Sequence, residues 1–378
     1  MLSNLQKLLN WITVEEDTRN NTITISGIPS NILATSIEKL WKGSRVTKHM
    51  FIKLSSSKIV FHSFFALEVA YIFENLSARG KQLQLRKTSK SILDALYENT
   101  WLTNVRYGQY EEIFDRRQLS LFDKKPLDHQ SQFFGSYEKN TQLYRLNGYM
   151  LAAPPGAGKT LTSLMVSEMV HADRVIIVCM KNAISDPWIK SLYEEYSSAN
   201  KQENYWTSAD REDPPRNKRF YIVHYQAIDL LFNITRTLSR EKVVVILDES
   251  HHMNEITAKR TQDFIKLCHD TNAEHVLWVS GTPLKAIGAE MIPFLYTIDP
   301  YFNVDDVPER FKKIFGIGSD RAASLLSHRI GISSHRVDKS EVVPGEPIHE
   351  TIDVSFKGSE RYTLKEVSKE MEAFVKDR

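Results

Sequence analysis

A glycine-rich segment with the sequence APPGAGKT, Ala153 to Thr160, constrains the fold of this chain more than any other feature. It directly follows the apolar run GYMLAA and opens the helical pattern LTSLMVSEMV. The small residues Gly156, Ala157 and Gly158 let backbone N–H groups turn around a phosphate, and the N-terminus of the following helix adds its positive end. The segment therefore predicts a strand, a phosphate-binding loop and a helix.

The end of this segment supplies side chains for a nucleotide. Lys159 is placed to reach the outer phosphates, and the Thr160 hydroxyl is placed to hold a magnesium ion. We therefore expect ATP and Mg²⁺ as the ligands. The predicted nucleotide-binding residues of the loop are Pro155, Gly156, Ala157, Gly158, Lys159 and Thr160.

Five apolar, β-branched runs predict the strands of one sheet. They read GYMLAA, RVIIVCM, RFYIVHY, KVVVILDE and HVLWVSG, and helical segments separate them. Runs that are continuously apolar, rather than alternating, indicate a parallel sheet covered on both faces. Residues 201–219 are polar with two prolines, and we predict a surface loop there.

Two adjacent carboxylates, Asp248 and Glu249, follow the fourth of these runs. Asp248 is predicted to complete the magnesium shell through water, and Glu249 to orient and deprotonate the water that attacks the γ-phosphate. His251 lies two positions further on and is a candidate for coupling the nucleotide to the next motif. Together with the phosphate loop, this pair makes Lys159, Asp248 and Glu249 the predicted catalytic residues.

Length and composition indicate a folded protein of two or three domains. The chain has 378 residues and 42% hydrophobic content, which is enough for sizeable cores. No apolar run approaches the roughly 20 residues that span a bilayer, and the N-terminus lacks the features of a signal peptide. We therefore expect a cytoplasmic protein without a membrane partner, whose two cysteines, Cys179 and Cys268, are buried thiols in a reducing compartment.

The first third of the chain is basic. Residues 1–125 hold 18 Lys or Arg and 12 Asp or Glu, whereas the whole chain has a net charge of only +2. This asymmetry favours a polyanionic partner, although ordinary solvated faces would give the same pattern. The basic residues with no acidic neighbour are Arg79, Lys81, Arg86, Lys87 and Lys90.

The motifs also resemble those of a known family. DESH resembles the DEAH-type second motif of superfamily 2 helicases, and SGTP, Ser280 to Pro283, resembles their third motif. KPLDHQ resembles the upstream glutamine motif of Swi/Snf-type translocases, and VIIVCMKNAISDPWIKSL and RFYIVHYQAI resemble two further family segments. The resemblance covers about residues 120 to 355, in the order in which that family has its motifs.

The residue patterns, which mix short helical and alternating runs before about Lys90, and the resemblance together predict a fold class and a domain organisation. The fold class is α/β, with a RecA-like parallel sheet flanked by helices, a P-loop NTPase, preceded by a small α+β domain. We expect a basic accessory domain that binds DNA at residues 1–108 and a RecA-like ATP-binding lobe at 109–305. Residues 306–378 are then a linker and the start of a missing second lobe.

The resemblance also implies roles for residues that composition and spacing do not assign. By this likeness Gln130 reads the adenine edge, while Ser280 and Thr282 join His251 in coupling nucleotide to nucleic acid. Lys181, Asn182, His224 and Tyr225 would lie along the nucleic-acid backbone. In the accessory domain it is the basic cluster, and not the resemblance, that makes Lys81, Arg86 and Lys87 the predicted nucleic-acid contacts.

The implied function is that of an ATP-dependent motor on duplex or branched DNA, similar to compact phage and bacterial repair or recombination helicases, acting in a bacterial or phage-infected cell. Such motors need a second lobe, in cis or in trans, whose arginines are worth about 10³ to 10⁵ in rate. We therefore expect poor turnover from this lobe alone. The alternatives are a nucleotide-dependent module that binds DNA or protein without moving, a DExH RNA helicase, and the motor subunit of a restriction enzyme.

Overall fold

The structure is a computed structural model that describes residues 11–30, 45–55, 57–80, 82–210, 213–281, 288–316 and 320–342. The chain divides into two compact units, Met1–Val342 and Val343–Arg378. All of the described residues belong to the first unit.

A small antiparallel sheet opens the described chain, with strand order β1-β2-β4-β3. Its second strand has the sequence TITIS, in which Ile23 and Ile25 are buried and the threonines alternate with them. This period of two is typical of a strand with one face on a core. The strands are β1 Thr13–Asp17, β2 Thr22–Ser26, β3 Phe51–Leu54 and β4 Ile59–His62.

The large sheet has seven strands in the order β11-β5-β10-β9-β6-β8-β7, and every neighbouring pair is parallel. All five residues of β9 are buried, as a sheet covered on both faces requires. The arrangement is a RecA-like α/β lobe, which confirms the predicted fold class. The strands are β5 Gly148–Ala152, β6 Arg174–Cys179, β7 Tyr205–Thr207, β8 Phe220–His224, β9 Val243–Leu247, β10 His275–Ser280 and β11 Ser334–Arg336.

Helices accompany both sheets. The described ones are α1 Arg45–Met50, α2 Ala66–Arg79, α3 Leu83–Asn99, α4 Thr103–Tyr107, α5 Asp128–Leu143, α6 Lys159–Met169, α7 Lys190–Glu194, α8 Thr235–Leu238, α9 Lys259–Asp270, α10 Ile292–Ile298, α11 Val307–Phe315, α12 Asp320–Ser333 and α13 Lys339–Val342.

Alternate residues of the large sheet face two different cores. Ile176 and Val178 of β6 join one cluster, whereas Val175 and Ile177 join the other. The first cluster continues into the small sheet, because it also contains Ile23 and other residues of that sheet. The accessory sheet and one face of the large sheet therefore share a continuous hydrophobic core.

Five sequence runs predicted as strands of a parallel sheet are confirmed as β5, β6, β8, β9 and β10. The surface loop predicted for residues 201–219 is wrong at β7, where Trp206 is buried and the backbone pairs with β8. Three residues give too short a run to show a strand pattern. Strand β11 also went unpredicted, because SHR is polar and pairs with β5 at the sheet edge.

The predicted boundaries at residues 108 and 305 stay predictions. Within residues 306–342, α11 and α12 lead to β11, which is hydrogen-bonded to β5 beside the phosphate loop. Residues 343–378, predicted to begin a second lobe, lie outside the described residues.

Both cysteines are free, buried thiols, as predicted. Burial raises the pKa of the Cys179 thiol to about 12, so this thiol stays protonated near neutral pH. A search of the described chain finds no helix both long and apolar enough to cross a bilayer.

Candidate nucleotide-binding site

The site lies at the edge of the large sheet where parallel strands end. The phosphate loop follows β5, and Asp248 follows β9, with β10 between these two strands. Lys159, Thr160, Asp248 and Glu249 all line one cavity of about 850 Å³. The carboxyl edge of an open α/β sheet is where this architecture binds ligands.

The phosphate loop has the backbone that its glycines permit. Gly156 has φ +83° and Gly158 has φ +72°, which is the left-handed region that side chains with a Cβ rarely adopt. A Cβ on Gly158 would also lie 2.7 Å from Gln130 Nε2. The start of the loop is fixed to β10, because the Ala153 N–H donates to the Ser280 carbonyl oxygen at 3.0 Å.

Gln130 lies beneath this loop and is almost fully buried. Its Nε2 donates to Thr162 Oγ1 at 2.9 Å and to the Gly158 carbonyl at 3.3 Å, while its Oε1 accepts from the Leu127 N–H at 2.8 Å. Gln130 therefore joins the start of α5 to the phosphate loop at Gly158 and to the first turn of α6 at Thr162. It also lines the cavity, and its contact with adenine stays a prediction.

The Asp248 carboxylate is held by two donors. Trp188 Nε1–H donates to its Oδ2 and the Glu249 backbone N–H to its Oδ1, each at 3.0 Å. Burial raises the pKa of Asp248, the nearby Glu249 charge raises it further, and the Trp188 hydrogen bond and Lys159 oppose the shift. A carboxylate in this setting is stabilised by a nearby cation.

Glu249 adopts a strained backbone conformation at φ +46°. This region is uncommon for a residue with a Cβ, and here it turns the chain sharply after β9. The Tyr225 hydroxyl donates to the Asp248 carbonyl oxygen at 2.6 Å and lies 3.5 Å from that of Glu249. The Tyr225 hydroxyl therefore anchors the turn that carries both carboxylates.

His251 lies between two other predicted site residues. Its Nδ1 is 3.3 Å from Glu249 Oε2 and also 3.3 Å from Ser280 Oγ. The three side chains thus form a continuous path from the end of β9 to the end of β10. A coupling role for this path stays a prediction, and Thr282 lies outside the described residues.

The donor set fits a magnesium ion. Thr160 and Asp248 supply a hydroxyl and a carboxylate at the same cavity, and hard cations of this kind take oxygen ligands. Mg²⁺ usually keeps several waters and binds through one or two protein oxygens plus substrate phosphates.

The residues predicted to lie along nucleic acid fall into two groups. Lys181 and Asn182 are exposed after β6, although Asn182 also lines the nucleotide cavity. His224 is half-buried after β8, and Tyr225 is only 5% exposed with its hydroxyl engaged at the catalytic turn. The exposed pair is available to a polyanion, whereas Tyr225 in this arrangement is not.

The structure describes two of the three predicted nucleic-acid contacts in the accessory domain. Arg86 is exposed on α3 and Lys87 is half-buried there, whereas Lys81 lies outside the described residues. Their nucleic-acid role stays a prediction.

Sequence reasoning missed several residues of the cavity. Trp188 lies within the quoted segment VIIVCMKNAISDPWIKSL, and nothing in that segment predicts its bond to Asp248. Lys124 and Lys125 line the cavity, and the Lys124 ammonium lies 2.9 Å from Glu195 Oε2. Lys125 opens the KPLDHQ segment, but nothing in the sequence predicts a nucleotide contact for either lysine.

The fold and the cavity together define the class of this lobe, a P-loop nucleotide-binding α/β lobe. Residues 123–285 match the family described as "Type III restriction enzyme, res subunit". The chain is also similar to two curated proteins named "SWI/SNF-related matrix-associated actin-dependent regulator of chromatin subfamily A-like protein 1". The Xenopus laevis protein is 19% identical over 297 residues, which is 73% of this chain and 30% of that relative.

The second relative, from Xenopus tropicalis, is 20% identical over 222 residues, 59% of this chain and 22% of its own length. The chain thus spans less than a third of either relative. These matches confirm the resemblance to superfamily 2 helicases of the Swi/Snf type. The bacterial or phage origin stays a prediction.

Two solved structures are also similar. "Sulfolobus solfataricus SWI2/SNF2 ATPase core in complex with dsDNA" has a TM-score of 0.46 and 16% identity, covering 61% of this chain and 46% of that one. "Crystal structure of Pyrococcus furiosus Hef helicase domain" has a TM-score of 0.34 and 13% identity, covering 46% of this chain and 36% of that one.

Proposed function

We propose that this chain contains the first lobe of an ATP-dependent motor that moves along duplex or branched DNA. One observation carries the proposal: Lys159, Thr160, Asp248 and Glu249 converge on a single cavity at the carboxyl edge of a parallel sheet. A phosphate loop and an acidic pair in this relation are the parts from which NTP-driven motors are built.

The chain's own residues divide the work of hydrolysis. The loop N–H groups and Lys159 bind the phosphates and neutralise their charge. Glu249, whose side chain is 29% exposed at the cavity, orients the attacking water and accepts its proton. Thr160 would hold Mg²⁺ directly and Asp248 would hold it through water, and the bound ion would stabilise charge on the phosphate oxygens.

Efficient phosphoryl transfer commonly uses an arginine, which the described lining of the cavity does not include. Among its described lining residues the cations are Lys124, Lys125 and Lys159, and none is an arginine. An arginine that stabilises the transferring phosphoryl group is worth about 10³ to 10⁵ in rate. We therefore infer that a second lobe, in cis or in trans, supplies it.

The DNA track in this proposal runs along the same sheet edge. Lys181 and Asn182 follow β6, the strand next to β9, and both are exposed. The partner is inferred to be DNA because the two curated relatives are named as regulators of chromatin. RNA remains the alternative polyanion, and the assay below includes it.

The direct test is the ATPase rate of the chain with and without duplex DNA, and again after a second-lobe fragment is added. We expect slow turnover alone and at least about a 10³-fold gain when the fragment and DNA are both present. Double-stranded RNA in place of DNA serves as the control. Absence of stimulation under every condition would favour the non-motor binding module.

We also propose that residues 1–108 form a DNA-binding accessory domain. Arg86 and Lys90 are exposed on α3, with no acidic residue between Arg79 and Lys90. Contacts between such basic side chains and DNA phosphates make the affinity for DNA fall steeply as the salt concentration rises. The double variant Arg86→Gln/Lys90→Gln should reduce the salt slope by about 2, whereas an unchanged slope would remove the case for this surface.

The motor subunit of a restriction enzyme is a second candidate, because the matching family is described as "Type III restriction enzyme, res subunit". Cleavage of plasmid DNA that requires ATP, Mg²⁺ and a partner subunit would favour it. ATP-dependent displacement of a DNA-bound protein without cleavage would favour the translocase.

A further inference from the structure

Trp188 donates a hydrogen bond to Asp248, one of the two residues that fit a magnesium ion. It lies in the segment Ile184–Ile189 that follows β6, whereas Asp248 follows the neighbouring strand β9. Its indole N–H donates to Asp248 Oδ2 at 3.0 Å, across 60 positions of sequence. The bond therefore joins two strand ends at the nucleotide cavity.

The indole itself is held rigidly. Trp188 is 1% exposed and belongs to the same hydrophobic cluster as Ile184, Leu192 and Tyr196. A buried ring in such packing has one rotamer, so its N–H has one direction. An indole nitrogen is a donor only, unlike a hydroxyl, and it cannot turn to accept a proton from a carboxylic acid.

The two donors on Asp248 together fix the plane of its carboxylate. Oδ2 accepts from Trp188 and Oδ1 accepts from the Glu249 backbone N–H, both at 3.0 Å. Each oxygen can accept further bonds, because a carboxylate has about four lone-pair sites. Outer contacts that orient a metal-binding carboxylate in this way typically change metal affinity or activity by about 10- to 100-fold.

Accordingly, we propose that Trp188 is a positioning residue for the magnesium site, which it organises by holding the Asp248 carboxylate in its metal-binding orientation. This inference rests on the proposed nucleotide site. It adds that the segment after β6, which also carries the exposed Lys181 and Asn182, is mechanically joined to the metal-binding carboxylate.

The test compares two tryptophan-to-phenylalanine variants of the full chain. Trp188→Phe removes the N–H that donates to Asp248. Trp278→Phe, on β10, removes a buried N–H that donates to Thr297 Oγ1 at 2.9 Å. Both rings are fully buried, so the two changes remove the same atoms from comparable packing. Titration with a fluorescent, non-hydrolysable ATP analogue gives nucleotide affinity with saturating Mg²⁺ and with chelator.

For the parent we expect Mg²⁺ to strengthen nucleotide binding. Trp188→Phe should lose about 10- to 100-fold of that gain while its affinity in chelator stays unchanged, and Trp278→Phe should retain the full gain. Equal Mg²⁺ gains in the two variants would overturn the inference. Failure of the parent to bind the analogue, or binding that is indifferent to Lys159→Ala, would instead overturn the proposed function.

A second measurement does not depend on the folding of the variant. The chain has six tryptophans, and the parent labelled with 5-fluorotryptophan gives one fluorine resonance for each. Replacing the other five in turn assigns Trp188. Its resonance should shift when Mg²⁺ is added to the nucleotide complex, and that of Trp278 should not. A Trp188 resonance unmoved by Mg²⁺ would contradict the proposed role.

Discussion

Two regions of this molecule concentrate charge, and they use it in opposite ways. At the cavity edge, Lys159, Asp248 and Glu249 face a shared space. At the junction between the small and large sheets, Arg329 of α12 is buried, with its guanidinium 2.6 Å from Glu68 Oε1 and 3.0 Å from Asp299 Oδ2. The first set has room for a ligand, whereas the second is occupied by its own members.

The pKa values reflect this difference. Burial raises the pKa of Asp299 to about 6, although the Arg329 charge opposes the shift. Arg329 further donates to the Phe64 carbonyl at 2.6 Å, so its charge is used within the fold. We infer that charge at the junction serves stability and charge at the cavity edge serves ligand binding. Substitutions at the junction should therefore change stability, and substitutions at the cavity edge should change ligand binding or turnover.

The largest effect is expected at the cavity edge. Glu249→Gln removes the proposed base but retains the side chain's shape, so turnover should fall by about 10²- to 10⁴-fold. ATP binding and thermal stability should persist, measured by calorimetry. Glu255→Gln, an exposed carboxylate on the loop that follows, is the control. Equal ATPase rates for Glu249→Gln and the parent would refute the assignment.

The junction should show the opposite behaviour. Arg329→Met leaves Glu68 and Asp299 buried without their cation, which should destabilise the fold by about 3–5 kcal/mol. Denaturant unfolding measures this loss, and nucleotide affinity of the folded fraction should be unchanged. Arg336→Met, at an exposed arginine on β11, is the control. A loss below about 1 kcal/mol would contradict the contrast between the regions.

Lys159→Ala should weaken ATP binding by about 30- to 150-fold, because it removes a charged hydrogen bond worth about 2–3 kcal/mol. Calorimetric titration of Mg·ATP tests this change. Lys190→Ala serves as the control, since Lys190 does not line the cavity. Unchanged ATP affinity for Lys159→Ala would remove the loop assignment.

The smallest effect is expected at Asp306, a half-exposed partner of Arg310 and His62 at the same junction. Hydrogen bonds from Arg310 and then His62 lower its pKa. Its contribution is therefore present above the unfolded Asp range near 4 and is lost as pH falls below it. Asp306→Asn should cost less than about 1 kcal/mol at pH 7.

Unfolding of the Asp306→Asn variant and the parent across pH checks the sign. The difference between them should shrink as pH is lowered from about 4. Asp338→Asn, at an exposed pair with Arg336, should show no difference at any pH. A difference that grows on acidification would contradict the direction of the pKa shift.

The sequence determined the elements whose information is local. The phosphate loop needs glycines and a lysine within eight positions, and the strand runs are apolar because both sheet faces are covered. From these two facts the convergence of Lys159, Thr160, Asp248 and Glu249 was predictable, since parallel strands end at one edge of a sheet.

Tertiary structure alone decided which side chains become the partners of buried donors and charges. Nothing in the sequence joins Trp188 to Asp248, or Arg329 to Glu68, which is 261 positions away. The same holds for Gln130 beneath the phosphate loop and for the short edge strands β7 and β11. Periodicity reports which face of an element is buried. The partner of a buried donor or charge depends on how whole elements pack, and that arrangement exists only once the chain has folded.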